Sequence, residues 1–199
     1  MKRLAGLLVL LIPLSASAWE EPILWLTADA YPDEHGELYD CSYDVESPFL
    51  TIPVYLFAET IGAGVETVAG VEFRLDHLPG LAQGILVTHT WHTLLVDGDP
   101  AVGVALTFDP PLAADWRVAL GRVDLFVLST TALGDDWRFG VAPSLISGEL
   151  RLVDGDGVEH RCVGYGFVLN CTDEPCTCGP YLATTAAEAA SWGQVKLIY

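Results

Sequence analysis

Metal-ligating side chains are the first candidates for chemistry in this sequence. Asp33, Glu34, Glu37, Asp40, Asp44 and Glu46 crowd one short stretch. Hard cations such as Ca2+ take about six to eight oxygen ligands, so Asp33, Glu34, Glu37 and Asp40 are candidate calcium ligands. The ligand order of an EF-hand is absent, and a solvated loop beside Cys41 is the preferred reading. Asp154 and Asp156 invite the same idea, but Asp154-Gly155-Asp156-Gly157 is explained by hairpin chemistry, since Asp-Gly supplies positive φ angles. His89 and His92 are spaced to share one face of a helix, whereas a strand puts them on opposite faces. Their segment reads as a strand, and zinc needs three or four convergent ligands. They are taken as ordinary strand or edge histidines. Cys176-Thr177-Cys178 would need two further ligands to hold a soft metal, and disulfides are the better explanation in an exported loop.

Nucleophile chemistry is absent at the level of motifs. There is no G-x-S-x-G and no P-loop. Carboxylates abound, but nothing marks two of them as an acid–base pair. No catalytic residue is assigned. The six tryptophans, Trp19, Trp25, Trp91, Trp116, Trp137 and Trp192, could line a sandwich face and stack on sugar rings. Burial in the core is the commoner fate of tryptophan, so carbohydrate recognition or turnover is kept as an alternative.

The elements that would position these groups are strands. Val71, Phe73 and Leu75 alternate with Glu72, Arg74 and Asp76, the pattern of a strand with one wet face. Val102, Val104, Leu106 and Phe108 alternate with Ala101, Gly103, Ala105 and Thr107, whose small side chains suggest a second closely packed face. From Arg117 to Ser129 the apolar parity changes, and a β-bulge at Gly121 would return Val118, Leu120, Val123, Leu125 and Val127 to one face. Leu150 and Leu152 precede the Asp154–Gly157 turn. Further strands are expected near 23–27, 50–57, 84–91, 137–141 and 166–169. This spacing predicts an all-β, antiparallel two-sheet sandwich, immunoglobulin-like or jelly-roll in topology. Thr185 with Glu188 forms a capping-box pattern for a short C-terminal helix to about Ser191.

Composition then bounds the class. Lys2 and Arg3, the apolar run Leu4 to Leu14 and Ala16-Ser17-Ala18 read as a signal peptide over 1–18. The expected domains are a sandwich over 19–171 and a Cys-rich loop and tail over 172–199. Nine basic residues face 27 acidic ones, a formal charge of −18. Such a field repels phosphate backbones, so no nucleic-acid partner is expected, and no later apolar run is long enough for a membrane span. The expected location is secreted or cell-envelope. Five cysteines, Cys41, Cys162, Cys171, Cys176 and Cys178, leave one unpaired if the others bridge. Cys41 is expected to tie the N-terminal segment to the late cluster.

Val68-Ala69-Gly70-Val71-Glu72-Phe73-Arg74-Leu75 resembles the strand of cohesin-like domains in which a small residue and Gly precede an x-E-F-x-L run. That resemblance implies a secreted β-sandwich that binds protein partners or carbohydrate-related assemblies. The ending Ser191–Tyr199 resembles a W-G-x-x-K-x-x-Y terminus of uncharacterised secreted bacterial proteins with a Cys-bearing β-domain. Trp192, Gly193, Lys196 and Tyr199 are therefore candidates for a docking or sorting tail, with a packed last element as the competing reading. The expectation is an exported, non-catalytic binding or assembly module for an extracellular protein or glycan. It needs no cofactor, and a calcium-stabilised structural domain is the remaining alternative.

Overall fold

The computed structural model describes residues 21–30, 40–172, 176 and 179–181. The signal segment, Asp33, Glu34, Glu37, Cys178, the expected helix and Trp192, Gly193, Lys196 and Tyr199 all lie outside the described residues.

In chain order the first strands are β1 (Ile23–Thr27), β2 (Ser42–Tyr43), β3 (Thr51–Glu59), β4 (Thr67–Asp76), β5 (Ile85–Trp91), β6 (Leu95–Asp99) and β7 (Gly103–Ala113). They are followed by β8 (Arg117–Val127), β9 (Trp137–Ala142), β10 (Arg151–Asp154), β11 (Glu159–Arg161), β12 (Val163–Gly164) and β13 (Gly166–Leu169). A 3-10 turn at Leu81–Gln83 is the single helical element among the described residues. Two sheets result. One has the order β12-β1-β3-β8-β5. The other runs β11-β10-β4-β9-β13-β2, with β7 also paired to β4 and β6 paired to β7. The pairing is antiparallel apart from short parallel contacts of β12 with β1 and β2 with β13. The expected all-β two-sheet sandwich is the observed fold.

The core lies between the sheets. Phe73, Phe139, Phe167, Leu24, Ile52, Leu56, Leu120 and Leu125 are fully buried, and each such side chain contributes about 1.5–3 kcal/mol by leaving water. The parity change in β8 is resolved by a bulge. Leu56 lies opposite Gly121 while Phe57 lies opposite Ala119, so Leu120 is the extra residue. Val118, Leu120, Val123, Leu125 and Val127 are all buried, as the sequence pattern requires. Glycine is needed at the bulge because a Cβ on Gly121 would stand 2.5 Å from the Trp91 ring and 2.7 Å from the Thr90 carbonyl oxygen.

The Asp154 turn is also built as expected. The Asp154 carboxylate accepts the amides of Asp156 (3.0 Å) and Val158 (2.8 Å). Gly157 takes φ +81°, which a glycine adopts without strain. The second carboxylate oxygen meets His160 Nε2 at 2.9 Å.

Strand β4 departs from its simple reading. Val71, Phe73 and Leu75 point into the core, but Arg74 and Asp76 on the supposedly wet face are buried too. Two covering segments explain this. The connection from β9 to β10 folds back so that the Pro143 carbonyl accepts from Arg74 Nε at 2.8 Å. Tyr181 lies over Gly140 and Gly166 and donates its hydroxyl to Asp76 at 3.3 Å. The small residues of β7 divide likewise. Gly103 is buried beneath Ser144 and Ile146, Ala105 is half-buried, and Thr107 is exposed.

Candidate functional site

Strand β4 is forked, and the fork makes a cleft. Its first half pairs with β10, Val71 opposite Leu152, while its last residues pair with β9, Leu75 opposite Val141. Where β9 and β10 diverge, a cleft of about 880 Å3 opens, walled by Pro143, Glu149, Arg151, Glu159, Arg161 and Tyr181 among others. Arg151 is its electrostatic centre. Its guanidinium meets Glu72 at 2.8 Å, Glu149 at 3.2 Å and Glu159 at 3.1 Å. Partial burial opposes ionisation of Glu72, but hydrogen bonds from Ser147 and Arg151 and the charge of Arg151 hold its pKa below the ordinary value. The carboxylates at this end of the cleft are thus engaged with Arg151.

The Arg74–Asp76 ion pair is bonded to two residues of the cleft wall, Pro143 and Tyr181, with both of its side chains nearly inaccessible. Burial, followed by the adjacent Asp76 charge, raises the Tyr181 phenol well above its usual pKa. Tyr181 is therefore a neutral donor at any physiological pH. The segment carrying it is fixed by a bridge between Tyr165 and Pro180 and by the Tyr181 amide donating to the Gly164 carbonyl at 2.8 Å.

Another margin of the same sheet is exposed and mixes apolar with acidic residues. Strand β6 pairs with β7 alone among the described residues, and all five of its residues are exposed. Leu95 faces outward at 55% exposure, with Leu94 before it fully exposed. At the other end of β6, exposed Val102 accepts the Leu145 amide at 2.7 Å, which sets Ile146, 73% exposed, over Gly103. Asp97 and Asp99 stand on the outer face of the strand between these groups.

The sequence-derived candidates map onto this framework unevenly. Asp40 is exposed, and its backbone carbonyl accepts from Thr27 Oγ1 at 3.0 Å and from the Ala28 amide at 2.9 Å. No group of three or more His, Cys, Asp or Glu side chains among the described residues is placed to hold a metal. His89 lies on β5 with its ring 5.4 Å from that of Trp91, and His92, just past the strand, meets the Ala119 carbonyl at 2.9 Å. Cys171 and Cys176 form a disulfide with an S–S distance of 2.12 Å. Cys41 is also disulfide-bonded, and Cys162 is the free thiol among the described cysteines. Burial pushes the Cys162 thiol up to about 12.

None of the four described tryptophans is exposed. Trp25 stacks on Phe57 at 5.1 Å, Trp91 meets Phe73 edge-on at 5.7 Å, and Trp116 lies 3.8 Å from the Arg117 guanidinium. Trp137 donates to the His77 carbonyl at 3.0 Å. They form no exposed row for stacking sugars. The β6 margin was not singled out in the sequence, although Leu94-Leu95-Val96 beside Asp97-Gly98-Asp99 was its visible signal.

The sandwich thus carries a charge-lined cleft and, among the described residues, an unpaired β6 edge bearing Leu95, Val96, Asp97 and Asp99. No protein-family model matches the chain, and no curated protein matches it. Among solved structures it is similar to cohesin modules. The cohesin module of a Clostridium perfringens family 33 glycoside hydrolase has 13% identity over 76% of this chain and 98% of that one, with TM-score 0.42. The sixth cohesin of Acetivibrio cellulolyticus scaffoldin B, solved with a dockerin, has 8% identity, coverage of 76% and 99%, and TM-score 0.43. A type I cohesin–dockerin complex from Clostridium thermocellum gives 9% identity, coverage of 76% and 94%, and TM-score 0.43. No helix among the described residues is long and apolar enough to cross a membrane.

Proposed function

We propose that this chain is an exported, non-catalytic binding module that takes a protein partner along the β6 margin of its larger sheet. The observation that carries this reading is the character of that edge. Natural sandwiches blunt free edges with charges, proline or bulges; β6 carries Asp97 and Asp99 at one end but presents Leu95 and Val96 at the other, with regular pairing to β7 and no lysine, proline or bulge. Ile146, Leu145 and Val102 extend the apolar surface at the far end of the strand. A partner that adds a strand there would gain main-chain hydrogen bonds, and its alternate side chains would contact Leu95 and Val96. The acidity of the chain, with Asp97 and Asp99 on this strand, favours a partner segment that is basic or neutral.

The test is capture from the secreted fraction of the source organism by the full chain, with cross-linking mass spectrometry to locate the contact. Cross-links are expected to fall on β6 and the Leu145–Ile146 turn, and Leu95→Asp is expected to abolish capture. Thr88→Asp, on the outer face of β5, is expected to leave it intact. Capture indifferent to Leu95→Asp, or cross-links that avoid β6, would remove the proposal.

A further inference from the structure

We propose that two copies of this chain associate through strand β5, which pairs antiparallel with the β5 of the second copy about a two-fold axis at Thr88. This surface belongs to the smaller sheet and is separate from the β6 margin of the larger one.

Strand β5 closes one end of its sheet and pairs with β8 alone among the described residues. Its residues, Ile85-Leu86-Val87-Thr88-His89-Thr90-Trp91, include no Asp, Glu, Lys, Arg or Pro, in a chain with 27 acidic residues and a formal charge of −18. The register with β8 runs without a shift, because the bulge in β8 falls in its pairing with β3. The usual guards against edge pairing, charge, proline and bulges, are all missing from this strand. On the outer face, Asp124 and Arg122 of β8 lie opposite Thr88 and Thr90 and bind each other at 2.9 Å. A second acidic copy therefore meets no unpaired carboxylate along β5 or the part of β8 behind it.

The backbone fixes which groups are available. The Gly84 carbonyl accepts the Leu128 amide at 2.7 Å, and the His92 amide donates to the Leu120 carbonyl at 3.0 Å, so even-numbered residues turn their main chain toward β8. The Ile85 amide points the other way, to the Gly80 carbonyl at 3.0 Å. Val87 and His89 thus present amide and carbonyl at the free edge. A two-fold axis at Thr88 sets Val87 of each copy opposite His89 of the other, with a reciprocal pair of main-chain hydrogen bonds at each place. On the outer face it sets Thr88 against the second copy's Thr88 and Leu86 beside Thr90. All of these are uncharged, and Thr–Thr is one of the stabilising cross-strand pairs. The same operation at the middle of β6 would oppose Asp97 to Asp97, so self-association is assigned to β5. Each chain has one β5 edge, and the pairing closes at two copies.

The experiment uses the full chain. Sedimentation over a concentration series is expected to show a monomer–dimer equilibrium. Thr88 is exposed, and Thr88→Asp sets two carboxylates against each other, which is expected to weaken dimerisation at least about tenfold. Thr88→Lys is expected to do the same, and an equimolar mixture of the two variants to regain the dimer, which a folding defect in either would prevent. In Thr88→Cys the two substituted residues form a non-hydrogen-bonded pair with Cα atoms about 4.5 Å apart, inside the disulfide range of about 4.4–6.8 Å. Oxidation is expected to link two chains at position 88, read by non-reducing peptide mapping. Thr90→Cys, which faces Leu86 of the second copy, is expected to give no such link. A monomer at every concentration, a dimer indifferent to both charges at position 88, no regain on mixing, or equal cross-linking at 88 and 90 would each overturn the proposal. Leu95→Asp is expected to leave the dimer intact, so this proposal and the binding reading of β6 fail separately.

Discussion

Replacing Asp76 by alanine tests whether the covered face of β4 is the structural centre of this domain. Asp76 accepts from Arg74 on one oxygen and from Tyr181 on the other, and both members of the ion pair are buried. The Asp76→Ala change leaves the Arg74 guanidinium under its cover with the Pro143 carbonyl as its remaining acceptor. Removing one partner of a buried pair costs about 3–5 kcal/mol, because the surviving charge stays desolvated. Against a total stability of about 5–15 kcal/mol, that is a large fraction. In urea, with a slope of about 1–3 kcal/mol per molar, the midpoint is expected to fall by roughly 2 M with the slope unchanged. Tryptophan fluorescence of the oxidised protein reports the transition. Tyr181→Phe, which removes one hydrogen bond to a charged acceptor, is expected to cost about 1.5–3 kcal/mol at most. Arg74→Met/Asp76→Leu removes both charges and is expected to be much closer to the unmodified protein than Asp76→Ala. A single-variant cost below about 1 kcal/mol, or a double variant as unstable as Asp76→Ala, would refute the reasoning.

The remaining predictions concern the bulge, the thiols and the acid limb. Gly121→Ala forces a Cβ against the Trp91 ring and the Thr90 carbonyl, with an expected loss of about 1–3 kcal/mol and a change in near-ultraviolet circular dichroism. Cys162, buried and with its thiol pushed up to about 12, is expected to resist iodoacetamide at pH 8 in the native protein and to react fully in denaturant. With Cys171 joined to Cys176, Cys41 bonded and Cys162 free, peptide mapping is expected to find Cys41 linked to Cys178. Glu72 has a folded pKa below its ordinary 4.5, so its contribution is present above pH 4.5 and is lost as the pH falls through the folded value. Glu72→Gln is therefore expected to flatten the decline in melting temperature below pH 4.5 while lowering stability at pH 7.

Those residues also mark how far the sequence could be read. The strands at Ile23–Thr27 and Gly166–Leu169 were legible to the residue, and the bulge expected at Gly121 lies one residue away with Leu120 as its extra residue, because period-two burial and one parity break leave direct traces. The Asp154 turn was equally plain, since its chemistry is local. Strands β2 and β12 were not, being two residues long and defined by partners far away in the chain. Strand β6 escaped for another reason. Its five residues are all exposed, so it carries no burial pattern, and its existence depends on β7. The Arg74–Asp76 pair reads as solvent-facing because alternation reports which side of a strand faces the core and says nothing about what later folds over the other side.

That second covering is nevertheless written in the sequence, in the glycines. Gly140 and Gly166 lie directly opposite each other on neighbouring strands, and side chains there would collide with the Tyr181 ring. Gly103 is bare where Ser144 and Ile146 settle. In each case the outer face of a strand is stripped of its side chain, at a cost of about 0.5–1 kcal/mol relative to alanine, where another segment approaches. Arg74 and Asp76 lie between these two patches, and the buried pair follows from them: once Tyr181 and the Pro143–Ile146 turn are seated, the charges beneath must satisfy each other. Strand β6 lacks that signature. Leu95, Asp97 and Asp99 keep full side chains on the outer face, so nothing is expected to lie flat over them. What β6 leaves unpaired among the described residues is its edge, which is where an added strand pairs. The same sheet thus separates two kinds of surface, with internal segments laid over glycine patches on one part of its face and, among the described residues, an edge at β6 with no further strand beside it.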